Sequence, residues 1–438
     1  MTSYLLREWE ALPHGDEAGC IPEHHATRLV AVARSSSFSG SGGSGVLEDR
    51  RRDLRARGVV GVLAAQGCTL EILPKIDVAS HLSAEGQTAA IRRQLIHMLA
   101  VALNLKVETG RITELDWQRE TLLEILIRIF CEKLTNAVRG GMPRRYVGRE
   151  DDLAALRGTL DVVRQFSVHA ANPGRLACRF DELSDDIALN RIMKACVTHL
   201  SKMSRTAANQ QRLRELAFVY AEVGDVPRAA LRWADVLIDR TNRQWQDLFG
   251  MAKLFLRDKY QNTSGGSGQG TALLFEMNDL FEEYVGRLIG RALAGTDFRV
   301  TLQGGLRYCL TALHAERSVF QTKPDILIWH GRDVVHVVDT KWKRISARID
   351  DAKQGVSQAD VYQMMAYAHL YKAPKLTLLY PHHDGLGSPE GIQAQFNITG
   401  QSTLLQTASI DVAVFTQIVE RLKHLVGLTA TDAINEAG

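Results

Sequence analysis

The 438-residue chain has no Gly-x-x-x-x-Gly-Lys-Ser/Thr phosphate loop, so it carries no Walker-type nucleotide motor of its own. No run of 18 apolar residues exists, which argues against a transmembrane helix. Met1–Glu10 places Arg7, Glu8 and Glu10 where a signal peptide would need an apolar core, and the expectation is a cytoplasmic protein without a membrane partner. There is no Cys-x-x-Cys pair. Six cysteines scattered over this length read as reduced thiols rather than a disulfide framework. Cys196 and His199 stand three apart on an expected helix, but no second pair accompanies them, and packing is the better reading than zinc. The net charge of +3 permits nucleic-acid binding without arguing for it.

What the chain does have is punctuation and periodicity. Two Gly/Ser-rich stretches, Ser35–Gly45 and Thr263–Gly270, have the composition of flexible coil. Residues 1–105 read as a β-rich domain. Arg28–Ala33 is an apolar run, and Gly58–Ala64 and Thr69–Pro74 form a hairpin turning at Gln66-Gly67. Arg50, Arg51, Arg52, Arg55 and Arg57 cluster just before that hairpin, either as a solvated, helical face or as a contact surface for a nucleotide, DNA or an acidic partner.

Residues 106–262 read as a mainly helical middle domain. Apolar spacing predicts helices over Gln87–Leu105, Thr121–Ala137, Ala188–Tyr220 and Trp245–Asp258, with Ser184 as an N-cap ahead of Asp185 and Asp186. Residues 271–438 read as an α/β domain. A helix over Leu273–Leu293 precedes β-like runs at Phe298–Gln303, Arg307–Leu313, Val319–Trp329 and Val334–Trp342, then a helix over Ser357–Tyr371 and a strand at Lys375–Tyr380. The whole is a multidomain α/β and α+β chain.

Lys323–Lys343 carries the chemistry. Trp329-His330-Gly331-Arg332-Asp333 closes a hairpin. Side chains alternate along a strand, so Asp339 and Lys341 share a side, and pairing through the turn can bring Asp325 opposite Asp339. Two carboxylates and a lysine are what phosphodiester hydrolysis requires. The transition state gains negative charge, carboxylates hold a hard cation such as Mg²⁺, and the lysine orients a water or stabilises developing charge. His382-His383 sits among loop residues, where a structural role is the better reading, and Tyr362 and Tyr367 read as packing residues.

Pro324-Asp325 and Asp339-Thr340-Lys341 resemble the second and third motifs of the PD-(D/E)xK nuclease superfamily. Glu282, rather than Glu283, looks like the first-motif acid, and Gln363 like the polar residue on the following helix. Collinear stretches resemble the McrC family: Leu70–Ile76, Leu156–Asp161, Glu182–Asp186 with Asn190–Lys194, Phe275–Asn278, Asp339–Lys343 and the Tyr362-Gln363 helix. The resemblance implies a restriction-endonuclease-like C-terminal domain with Asp325, Asp339, Lys341, Glu282 and Gln363 at its centre. The first two aspartates and Glu282 would hold Mg²⁺. It also implies a McrB-like AAA+ GTPase hexamer as partner and modified double-stranded DNA as substrate. The N-terminal part would dock on the motor, and the arginine cluster would contact its nucleotide pocket or pore. An autonomous DNA-repair nuclease and a non-catalytic activator of an AAA+ ring are the alternatives. The intact Asp325, Asp339 and Lys341 argue against the second of these.

Overall fold

The computed structural model describes residues 2–34, 45–78, 82–105, 117, 120–171, 174–256, 261–262, 270–313, 317–345 and 355–427. Both expected glycine-serine linkers fall almost wholly outside the described residues. The chain forms a mixed α/β structure with several sheets. Where the sequence divides into three, the structure gathers two compact units, Met1–Leu123 with Tyr260–Gly438, and Glu124–Lys259.

The reason the first and last segments share a unit is a strand. Gly270–Glu276 pairs antiparallel with Val59–Ala65, which forms the expected hairpin with Cys68–Leu73. Thr2–Arg7 then adds to Cys68–Leu73 in parallel. The sequence reads Leu273–Glu276 as the start of a helix, but Ala272–Phe275 is buried and apolar on both faces of the strand. A short run of that kind has no periodicity to tell strand from helix. Gly61 is required at this pairing: it has φ +132°, and a Cβ there would stand 1.9 Å from the Leu273 carbonyl oxygen. Glu23–Arg34 is a helix rather than an extended run, and its Ala26, Leu29, Val30 and Ala33 pack into the same core, at the spacing of one helical face.

The second layer of this unit is a six-stranded mixed sheet. Its order is Phe298–Leu302, Ile326–His330, Asp333–Thr340, Lys375–Pro381, Leu404–Ile410, Gly391–Asn397. The first three strands are antiparallel neighbours. Asp333–Thr340, Lys375–Pro381 and Leu404–Ile410 run parallel. The parallel step from Asp333–Thr340 to Lys375–Pro381 is bridged by the helix Gln358–Tyr371, capped at Ser357 by a hydrogen bond from the Asp360 amide. Leu327, Val337, Leu376 and Leu405 form one cross-strand row in the core under that helix. The expected run Val319–Trp329 is two strands, broken before buried Pro324, which can supply no ladder hydrogen bond.

In the second unit the helix Ala188–Met203 buries Ile192, Met193, Cys196, Val197 and Leu200. Cys196 is thus a core thiol. The expected continuous helix to Tyr220 breaks at Ser204–Thr206, and Ala207–Val219 follows. Ser204, Thr206 and Asn209 all donate to the buried Glu124 carboxylate, at 2.8, 3.0 and 2.8 Å. The same carboxylate accepts from the Arg205 and Thr206 amides, which takes those backbone donors out of the helical ladder and ends the first helix. Ser184 is no N-cap. It ends the strand Leu176–Ser184, and the helix starts after Ile187. Asp186 instead receives both Arg191 Nε and Nη2, at 2.6 and 2.7 Å. The unit also holds a three-stranded sheet that helical spacing could not announce, built on the nine-residue pairing of Arg145–Leu153 with Leu176–Ser184.

Candidate active site

Asp325 immediately precedes the strand Ile326–His330, and the register Ile326↔Val338 continues to set it opposite Asp339. Alternation places Asp325 and Asp339 on the Leu327/Val337 face, under the helix Gln358–Tyr371. Asp339 is fully buried. Its Oδ2 forms an ion pair with Lys341 Nζ at 2.5 Å, and its Oδ1 accepts from Gln363 Nε2 at 3.2 Å. Gln363 also donates to Tyr367 Oη at 2.7 Å. Asp325 Oδ2 accepts from the Thr340 amide at 2.7 Å and the Thr340 hydroxyl at 2.9 Å. Thr340 is the middle residue of the Asp-Thr-Lys motif. It escaped the sequence reading because that position carries no chemistry in the motif, although any residue there offers its amide.

Glu282 reaches the site from the helix Met277–Ala292. That helix buries Met277, Leu280, Phe281, Tyr284, Val285 and Leu288 on its core side. A Cβ at Gly286 would come within 2.4 Å of Leu302 Cδ2, so glycine there allows the helix to lie close to the edge strand. Neighbouring Glu283 turns away and pairs with Arg287 at 2.8 Å.

The electrostatics set this cluster apart. Burial first, then the charge of Asp325, pushes Glu282 up to about 7. Burial first, then the same Asp325 charge, pushes Asp339 up to about 7 despite Lys341. Burial raises Asp325 as well, against the opposing pull of Thr340 and Lys341. Lys341 moves the other way from what burial alone would do, and Asp339 holds it above its ordinary value. Three carboxylates therefore resist ionising beside one lysine that is held charged, which is the condition a bound cation relieves. Among the described residues no three His, Cys, Asp or Glu side chains enclose a metal-sized position. A cation here would therefore rest on fewer than three protein carboxylates, with the rest of its shell supplied from outside the chain.

The loop after Lys341 is held residue by residue. The Trp342 amide donates to Asn278 Oδ1 at 3.1 Å, and its indole Nε1 donates to Glu8 Oε2 at 2.8 Å. Lys343 pairs with Asp360, Arg344 with Asp77, and the Ile345 carbonyl meets His383 Nε2 at 2.9 Å. Glu8, buried in the N-terminal segment and pushed up to about 7 by that burial, has no sequence signal linking it to residue 342. His382 contacts Ser409 Oγ at 3.0 Å, so both histidines of the pair have structural contacts. Tyr367 is buried, whereas Tyr362 is 60% exposed and is not a packing residue, because its helix turns that position outward.

The arginine cluster is not a helical face. It spans a turn and the strand Asp53–Ala56 of a small sheet with Ala11–Pro13 and Leu47–Asp49. Arg50 and Arg57 both pair with Glu48 at 3.0 Å, and Arg55 donates to the Trp9 carbonyl at 3.1 Å. Arg51 and Arg52 are exposed.

The fold and site thus define a multidomain α/β protein with an open carboxylate–lysine cluster at the ends of paired strands. The sequence matches the McrBC 5-methylcytosine restriction system component family over residues 54–381, and the chain belongs to that family. No curated protein matches it. Its fold is similar to a chain in the refined half-complex from the tetradecameric assembly of Thermococcus gammatolerans McrB AAA+ hexamers with bound McrC. The TM-score is 0.69 at 20% identity, covering 99% of this chain and 100% of that one. A chain of the cryo-EM structure of the Thermococcus gammatolerans McrBC complex aligns with a TM-score of 0.52 at 23% identity, covering 67% of this chain and 88% of that one. Among the described residues no helix is long and apolar enough to cross a membrane.

Proposed function

We propose that this chain is the McrC-type nuclease subunit of a modification-dependent restriction complex, with a PD-(D/E)xK endonuclease site on its six-stranded sheet that hydrolyses double-stranded DNA with Mg²⁺. The observation that carries the reading is the placement of Asp325 and Asp339 side by side on adjacent strands, with Lys341 held charged against Asp339.

Magnesium suits these donors. It is usually held by one or two carboxylates, with water and substrate phosphate completing its shell, so an open pair serves it better than a closed cage. Asp325 and Asp339 would hold it, and Glu282 stands beside them. When bound, it supplies charge neutralisation at the phosphate and a more acidic water. The remaining roles fall to the chain itself. Lys341 presents a fixed positive charge where negative charge develops. Gln363, itself tied to Tyr367, fixes the orientation of the Asp339 carboxylate. Thr340 does the same for Asp325.

The chain lacks a nucleotide motor. McrC in the Thermococcus assemblies is bound to McrB AAA+ hexamers. By that likeness, this chain docks on a McrB-like AAA+ GTPase ring in the cytoplasm, stimulates it, and cuts DNA whose modified cytosine the ring recognises. Of the arginine cluster, Arg51 and Arg52 would meet the ring, since both are exposed while Arg50, Arg55 and Arg57 already have partners within the chain. The test reconstitutes the chain with its McrB-like partner and follows GTP hydrolysis and cleavage of 5-methylcytosine plasmid with Mg²⁺. Asp339→Ala should abolish cleavage and retain stimulated GTP hydrolysis. Unchanged cleavage would remove the site, and cleavage by the chain alone would favour an autonomous nuclease.

A further inference from the structure

Between the edge strand Phe298–Leu302 and Asp325 the chain makes a two-stranded ribbon, Tyr308–Ala312 with Arg317–Gln321, that joins no other sheet among the described residues. Both of its faces are open. Leu310 is 57% exposed, Leu313 93% and Phe320 71%, and Tyr308, Cys309, Thr311 and Ser318 are exposed too. A lone hairpin is marginal in water, so something must fix it. Its base is fixed to the site helix. The Arg307 amide and the Thr322 hydroxyl both meet Tyr371 Oη, at 3.3 and 2.9 Å, and the Arg307 guanidinium lies over the Tyr371 ring at 5.0 Å. The same helix carries Tyr367 and Gln363, and Gln363 holds Asp339. Phe320 in the ribbon adopts φ 58°, which a bulky side chain rarely takes.

We propose that this ribbon is a contact surface for duplex DNA, seated in a groove beside the bond to be cut; the inference rests on the nuclease reading above. Three observations on the molecule favour DNA. The ribbon returns to the site four residues before Asp325, so whatever it grips is held at the carboxylates. From Arg307 to Lys323 the sequence carries Arg307, Arg317 and Lys323 against one acid, Glu316, a net positive segment of the kind a polyphosphate partner favours. A two-stranded ribbon is also a shape that the major groove, about 12 Å wide, admits. Arg317 and Lys323 would meet phosphates, and the exposed apolar and aromatic side chains would lie against base edges or bases.

Cys309 makes the test direct, because it is exposed while Cys68, Cys131, Cys178 and Cys196 are buried. A photo-activated cross-linker attached to Cys309, in full-length protein with Cys20→Ser and assembled with its AAA+ partner, is irradiated with a 5-methylcytosine duplex. Cross-linking to DNA is expected, and equally in an Asp339→Ala background, since no chemistry is needed. Cross-linking to the AAA+ protein instead, or to nothing, overturns the inference. In parallel, Arg317→Ala should weaken DNA binding about 5- to 10-fold and lower the salt slope of binding by about one. Unchanged affinity and slope with an unchanged Tm would also overturn it. The two readings fail separately. Asp339-dependent cleavage without a ribbon cross-link sinks the ribbon alone, and a ribbon cross-link with Asp339-independent cleavage sinks the assigned site alone.

Discussion

Glu71 and Asp339 both lie on strands of the same compact unit, both are buried, and each meets a cation at 2.5 Å. Around Glu71 every donor fits. Arg92 offers Nε at 3.0 Å and Nη2 to the two oxygens, the Leu122 amide adds a bond at 2.9 Å, and Arg92 Nη1 finishes on the Trp117 carbonyl at 2.9 Å. Around Asp339 the fit is incomplete by construction. A second carboxylate stands opposite and a third approaches, so burial and like charge hold Asp339 up near 7. A planar guanidinium fork closes the first pair. A single ammonium on a flexible stem leaves the second open to another cation. The first arrangement ties an N-terminal strand to a helix. The second stores unfavourable charge where a catalyst can use it.

Substitution at the two sites should therefore break different properties. Asp339→Ala should lower the cleavage rate at least about 10³-fold, roughly 4 kcal/mol of transition-state stabilisation, and leave the thermal transition in place. Glu71→Ala should strand a buried guanidinium and cost about 3–5 kcal/mol of stability, visible as a large fall in Tm. If Asp339→Ala unfolds the protein and Glu71→Ala leaves it folded but inactive, the assignment of the two pairs is reversed.

Gln363 sharpens the contrast at a smaller scale. It is an orienting group, not a charged one, and outer partners of this kind typically contribute about 10- to 100-fold. Gln363→Leu should lower kcat by that factor at saturating DNA. A variant that changed only the DNA concentration dependence would place Gln363 in binding instead.

The pH dependence of stability comes next. Folding raises Asp339 from 3.8 to about 7, so the folded chain binds a proton that the unfolded chain releases. This favours folding below pH 3.8 and is lost as the pH rises to about 7. Asp339→Asn removes the titration. Without divalent cation, the variant should gain on wild type as the pH moves from 5 to 8, by roughly 2–3 kcal/mol, a rise of several degrees in Tm relative to wild type. Mg²⁺ at pH 8 should close the gap by stabilising wild type alone. A gap that is independent of pH and metal would mean that the crowded charge is absent in solution.

Much of this site was legible because a strand's period is strict. Two residues apart means one face, so Asp339 and Lys341 followed from spacing. The turn at Gly331 alone pairs Trp329 with Val334 and would set Asp325 opposite Val338. A bulge between Trp329 and Ile328, which pairs with His336, shifts the register by one residue and brings Asp325 opposite Asp339, and no spacing rule announces it. The other pieces that were not legible depend on distant chain. Leu273–Glu276 becomes a strand because Val59–Ala65 offers it an edge, and nothing within the segment says so. Arg28–Ala33 carries β-branched residues and still forms a helix, because its buried positions meet a sheet made from later sequence. Glu8 meets Trp342 across 334 residues. The same non-locality places the N-terminal and C-terminal thirds in one unit.

Glu282 and Glu283 give the smallest and cleanest form of the comparison. They are adjacent on one helix, so helix propensity, length and charge are matched between them. One faces Asp325 and is pushed up to about 7 by burial and that charge; the other pairs across one helical turn with Arg287, partly in solvent. An i,i+4 pair of this kind contributes about 0.3–0.5 kcal/mol. Glu283→Ala should therefore shift Tm barely and leave cleavage unchanged, while Glu282→Ala should impair cleavage without a stability loss, since it removes a carboxylate that burial disfavours. Equal effects on cleavage from the two variants would mean that the helix contributes bulk rather than a carboxylate, and the cluster would reduce to Asp325, Asp339 and Lys341.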